Sequence, residues 1–313
     1  VNLQEKSMNA STMSLSPAQA APPPGTDGAA RAADAGTPAA TAPSALAKEQ
    51  GAALARAQRR RTLARWLAPV LGFVVFLLLW QVVSHSGDKQ LPGPVPVWEA
   101  AVKLFADPFY SNGPNDQGIG WNILSSLKRV ALGFGLAAAV GIPLGFMIGR
   151  FNFLNQMLDP LISLLRPVSP LAWLPIGLVV FKAANPAAIW TIFICSIWPM
   201  VINTAVGVRQ VPQDYLNVAR VLNLSELTVF RKILFPAVLP YMLTGVRLAV
   251  GTAWLVIVAA EMLTGGQGIG FWLWDEWNNL NMAHILIAIF VIGIVGLGLE
   301  ALLVSIARRF DYS

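Results

Sequence analysis

Charge is scarce in this chain. Only 12% of its 313 residues are Asp, Glu, Lys or Arg, about half the ~25% of an ordinary soluble domain. So few charges cannot coat a water-exposed globule of this size. Cysteine is almost absent too. The single Cys195 excludes an intrachain disulfide, and no metal-ligand companions surround it. The two histidines, His85 and His284, are far apart. The sequence therefore offers no metal site and requires no cofactor. It contains no G-x-x-x-x-G-K-[ST] phosphate loop, so it carries no ATPase site of its own. No nucleophile–base set stands out, and no catalytic residue is assigned.

What the chain has instead is apolar sequence in long blocks. Hydrophobic residues make up 55% of it, and their clustering points to lipid as the solvent. Six blocks have about the ~20 residues that a helix needs to cross hydrocarbon: residues 67–84, 130–148, 157–181, 187–208, 237–263 and 283–307. The second has a helical lead-in from Trp121. Sustained alternation is missing, so strands are excluded. The expectation is an all-α membrane protein with a transmembrane domain over residues 56–313. Residues 1–55 are rich in Ala, Pro, Gly and Thr without apolar periodicity, and read as a disordered cytoplasmic tail. They are a poor match to a signal peptide, because no apolar core precedes residue 66.

The net charge of +6 could point to nucleic acid, but its distribution does not. The densest basic cluster, Arg59, Arg60, Arg61 and Arg65, lies directly before the first apolar block and reads as a topology signal. With the N-terminus in the cytoplasm, the inner side also receives Arg150, Arg209, Arg220, Arg231, Lys232, Arg308 and Arg309. Both termini come out inside. Lys128 and Arg129 fall on the outer side against the rule. The third block holds Pro160, Pro167, Pro170 and Pro175, each of which disfavours a regular helix. A broken span needs shelter from lipid, so it is expected to face the bundle interior. Arg166, Arg247 and Glu261 are ionisable residues inside spans and are candidates for the translocation pathway. The alternatives are that Arg166 bonds carbonyls freed by the prolines and that Arg247 pairs with Glu261 or Glu300. Within one helix, Arg247 and Glu261 are about 21 Å apart at 1.5 Å per residue, too far to pair.

Two loops stand out. The outer segment 264–282 has glycines at 265, 266, 268 and 270, not spaced as G-x-G-x-x-G. Its Trp272, Trp274 and Trp277 fit an aromatic belt at the outer interface. The inner segment 211–240 is amphipathic. Pro212 can open a helix whose Tyr215, Val218, Ala219 and Leu222 share an apolar face. Asn223 tolerates the left-handed conformation that ends such a helix. Ser225 can cap a second helix, with Glu226 at its positive end. Leu227, Phe230, Ile233 and Leu234 continue the apolar side. Such a helix pair suits either a lipid surface or a groove on a partner protein.

The spacing of Asn217, Val218 and Ala219, then Asn223, then Ile233, Phe235 and Pro236 resembles the EAA loop of binding-protein-dependent ABC importer permeases. In that loop Asn217 stands at the acid, Val218 at an alanine, Asn223 at the glycine and Phe235 at the leucine. RPVSPLAWLP at 166–175 and the run from Pro240 to Asn278 resemble the nitrate, sulfonate, taurine and bicarbonate permeases, closest to the nitrate branch. The resemblance implies a type I importer bundle in a bacterial inner membrane. It implies that Tyr215, Asn217, Val218, Ala219, Arg220, Leu222, Asn223, Ser225 and Glu226 couple to an ATPase. The implied partners are a second permease subunit (as a homodimer), two ATPase subunits that bind ATP and Mg, an external solute-binding protein and lipid, with no nucleic acid. The implied solute is a small anion, nitrate or nitrite, with bicarbonate, cyanate or sulfonate/taurine as alternatives. The rival of another class is an ion-gradient-driven secondary transporter, which wants midplane acids and internal repeats.

Overall fold

A computed structural model describes residues 45–86, 91–113 and 116–308. The expected tail falls largely outside this range. Its last residues do not: helix α1 runs Ala45–Ser86, so residues 45–55 are helical. The rest of the account concerns the compact unit formed by residues 68–313.

Ten further helices follow: α2 (Pro94–Ala106), α3 (Ile119–Arg150), α4 (Asn152–Leu165), α5 (Pro170–Phe181), α6 (Ala184–Arg209), α7 (Gln213–Val221), α8 (Glu226–Val229), α9 (Phe235–Thr264), α10 (Ile269–Asn278) and α11 (Met282–Arg308). No named strand occurs among the described residues. Among the described residues, five helical stretches are long and apolar enough to cross a membrane, and α4 with α5 make a sixth if taken as one broken span.

The third block is thus not one span over 157–181. It begins at Asn152 and bends by 99° between Leu165 and Pro170. The proline chemistry explains the position of the break. Pro167 lies in it, and Pro170 starts α5, where a missing donor costs nothing. Pro160 and Pro175 stay within α4 and α5.

The centre of the bundle is α3, α6 and α9. On α3, Gly133, Ala137, Gly141, Gly145 and Gly149 recur every four residues and so form one stripe. A methyl added at Gly145 would lie 2.7 Å from Thr204 Cβ and from the Val201 carbonyl, and one at Gly149 2.6 Å from Val208 Cβ. Small residues let two backbones approach, which is how helices pack where lipid supplies no hydrophobic drive. Gly133 meets Ile192 and Gly149 meets Val208, so α3 and α6 run parallel. The chain must therefore return across the bundle between them, and α4–α5 is that return. Gly207 meets Tyr241 and Gly245 meets the Pro199 carbonyl, so α9 runs antiparallel to α6.

Candidate functional site

At one end of the bundle, the ends of α3 and α6 meet α7, α8 and the start of α9. Leu216 and Ala219 of α7 are buried against Val208, Val211, Val229, Leu234 and Val238. This anchors the short helix on the bundle. The expected apolar face is therefore split. Ala219 belongs to the anchored side, whereas Tyr215, Val218 and Leu222 are more than half exposed. Leu216 is the main anchor and lies outside the Tyr215, Val218 and Leu222 stripe; its spacing of three before Ala219 is the sequence signal for it.

The turn that ends α7 is built as its residue types require. Asn223 is left-handed, with φ 48°. Its N–H donates to the Arg220 carbonyl at 3.0 Å, and the Leu224 N–H donates to the Ala219 carbonyl at 3.0 Å. These two bonds close a Schellman motif and satisfy carbonyls that the helix end leaves open. Two residues on, Ser225 accepts from the Thr228 N–H at 3.3 Å and caps α8. Asn217, which stands at the family's acid, accepts from Arg220 Nη1 at 3.2 Å. Glu226 lies 3.7 Å from Arg150 but is mostly exposed, so this pair adds little.

The second helix of the loop is not a separate element. Residues 230–234 form a π-helical turn that runs straight into α9, giving one helical stretch from Glu226 to Thr264. The Phe235 N–H reaches back five residues to the Phe230 carbonyl. Pro236 cannot donate, and its ring would crowd the carbonyl four residues back. The wider turn accommodates that ring without breaking the helix. Phe146 of α3 packs edge-on against Phe230, with centroids 5.0 Å apart, and steadies the turn. Between α7 and this stretch lies an apolar groove of about 980 Å³, walled by Tyr215, Val218, Leu222, Ile233, Phe235 and Pro236.

Among the described residues, no ion pair joins the three pathway candidates to one another. Arg166 is exposed at the break after α4, and its side chain has no ion-pair partner among the described residues. Arg247 of α9 pairs with Glu300 of α11; its Nε donates to Oε1 at 3.0 Å, and both side chains are about half exposed. A groove of about 600 Å³ lies beside the pair. Glu261 is different. It is 1% exposed, which removes it from any lining role in this conformation, and its partner is Arg129 at 2.6 Å. Arg129 is therefore not a misplaced topology charge but an internal counter-ion. Trp272, assigned to an interface, is also buried and stacks on His284; Trp274 and Trp277 are exposed. No group of residues able to hold a metal occurs among the described residues.

Helices cross around a close-packed centre, and an apolar groove borders a helix continuous with a candidate span. Residues 141–312 match the family described as binding-protein-dependent transport system inner membrane component, and the chain belongs to that family. It is similar to the nitrate import permease protein NrtB of Synechocystis sp., 50% identical over 234 residues that cover 75% of this chain and 85% of the relative. The NrtB of Leptolyngbya laminosa is 49% identical over 249 residues, 80% of this chain and 89% of the relative. The bicarbonate transport system permease protein CmpB of Synechococcus elongatus is 46% identical over 245 residues, 77% and 88%.

Proposed function

We propose that this chain is the permease of an ATP-driven importer for nitrate, working as a homodimer with two ATPase subunits and an external binding protein. The observation that carries the coupling role is the exposed groove between α7 and the Glu226–Thr264 stretch. An apolar recess bordered by a helix held at both ends fits a protrusion or helix of a partner. The ATPase subunits bind ATP and Mg; this chain supplies the receiving surface. The α7 end lies in the cytoplasm, where Arg209, Arg220, Arg231 and Lys232 gather, and both termini lie on that side. The N-terminal segment before residue 56 is a cytoplasmic tail.

Nitrate is favoured because relatives named for nitrate import stand at 48–50% identity. Bicarbonate is the second reading, because relatives named for bicarbonate transport stand at 46–48%. Within the route, Arg247 and Arg166 are the residues we assign to the anion. An exposed charge inside a span faces water or protein rather than hydrocarbon, since a charge at the centre of a bilayer costs at least about 2.5–3.5 kcal/mol.

The test is uptake of labelled nitrate and labelled bicarbonate into proteoliposomes holding the reconstituted complex, with its binding protein outside and ATP inside. Nitrate uptake that unlabelled nitrate suppresses and bicarbonate does not supports the reading. The opposite pattern moves the assignment to bicarbonate, and uptake that needs an ion gradient but no ATP defeats it.

A further inference from the structure

The buried carboxylate of Glu261 is the hub of a bond network at the end of the bundle opposite α7. Arg129 Nη1 donates to it at 2.6 Å, Ser126 Oγ at 2.7 Å and the Gly270 N–H at 3.1 Å. The same α3 side chains hold the loop that joins α9 to α10. Asn122 Oδ1 accepts from the Gly268 N–H and Ser126 Oγ from the Ile269 N–H, each at 2.9 Å. Arg129 also donates to the Gln267 carbonyl and, through Nε, to Asn185 of α6 at 2.6 Å. Four elements, α3, α6, α9 and α10, thus meet at one ion pair.

The loop is shaped to allow this. Gly265, Gly266 and Gly268 all have positive φ. A methyl at Gly268 would lie 2.3 Å from the Glu261 carboxyl carbon. Arg129, Ser126 and the Gly270 N–H each donate to the carboxylate.

The helical stretch from Glu226 to Thr264 has 39 residues, about 58 Å at 1.5 Å per residue. The coupling groove borders one end of this rod, and the Glu261 network fastens the other. We propose that Glu261, Arg129 and Ser126 are positioning residues for transport. They clamp the far end of the rod to α3, α6 and α10, so that a displacement received beside α7 moves the outer ends together. Without the clamp the rod tilts alone, and ATP is hydrolysed without productive opening. The inference rests on the importer reading above.

The experiment uses the whole reconstituted complex and compares Glu261→Gln and Ser126→Ala with the unaltered chain. Two quantities are read: hydrogen exchange of the 265–275 backbone, and solute taken up per ATP hydrolysed. Glu261→Gln should lose exchange protection there and fall several-fold in uptake per ATP while solute-stimulated hydrolysis persists. Ser126→Ala keeps the ion pair, should assemble normally, and should show a smaller loss of both. Retained protection in both variants overturns the clamp. Lost protection with unchanged uptake per ATP overturns its role in transport and leaves only local stability. Absence of solute-stimulated hydrolysis in the unaltered complex defeats the importer reading instead, and the exchange measurement still decides the clamp.

Discussion

Gly270 has no room for a side chain. A Cβ there would sit 2.1 Å from the Val258 carbonyl oxygen, which is backbone and cannot yield. Overpacking of this kind costs about 1–3 kcal/mol and sometimes more. Gly270→Ala should lower the melting temperature of the purified complex, whereas Gly251→Ala, which meets nothing within 4 Å, should not. Equal melting curves would contradict the packing described. The Arg129–Glu261 pair permits a second residue-level expectation. Removing one member of a buried pair strands the other, at about 3–5 kcal/mol. Arg129→Met should therefore destabilise the chain far more than Arg247→Met, because Glu300 is half exposed and Glu261 is buried. Thermal unfolding of the two variants measures the difference. The pairing of Glu261 with Arg129 was not legible in the sequence. Arg129 lies 132 residues away, and a charge near a span end looks like a topology signal until the fold brings its counter-ion to it.

At the scale of elements, the α7–α8 turn is where sequence and structure agree closely, for a local reason. Caps and left-handed turns depend on residues within one helical turn of each other, and Asn223, Ser225 and Pro212 act at that range. The Schellman turn should accept Asn223→Gly and resist Asn223→Val. A non-glycine residue in the left-handed region carries about 1–2 kcal/mol of strain, more when β-branched. Solute-stimulated ATP hydrolysis should survive the first change and drop with the second; the reverse order would contradict the geometry. What local reading does not reach is continuity. The second loop helix and the fifth span read as two elements in the sequence, but a π-helical turn over residues 230–234 joins them into one helix past Pro236. The break in the third block was readable from its four prolines, but its 99° angle depends on what α4 and α5 pack against. The glycine stripe of α3 was present in the sequence at four-residue spacing, and only the partner helix gives it meaning.

For the whole molecule, each of the five described helices long and apolar enough to cross a membrane overlaps one of the six apolar blocks, because hydrocarbon thickness sets the length such a helix needs. The relation between the two ends of the bundle is a property of the fold alone. The stretch from Glu226 to Thr264 connects the groove beside α7 with the Glu261 network, and the central claim is that motion enters at the groove. This claim has a direct test, helped by the single native cysteine. With Cys195 replaced by alanine, Val218→Cys gives one thiol on the exposed side of α7. Cross-linking of that thiol to the ATPase subunit is then followed with and without nucleotide, alongside solute-stimulated hydrolysis. The account predicts a specific cross-link whose yield changes when ATP binds, and loss of stimulated hydrolysis in Val218→Glu and Leu222→Glu. Stimulated hydrolysis that persists in both variants, with no cross-link from position 218, would contradict it.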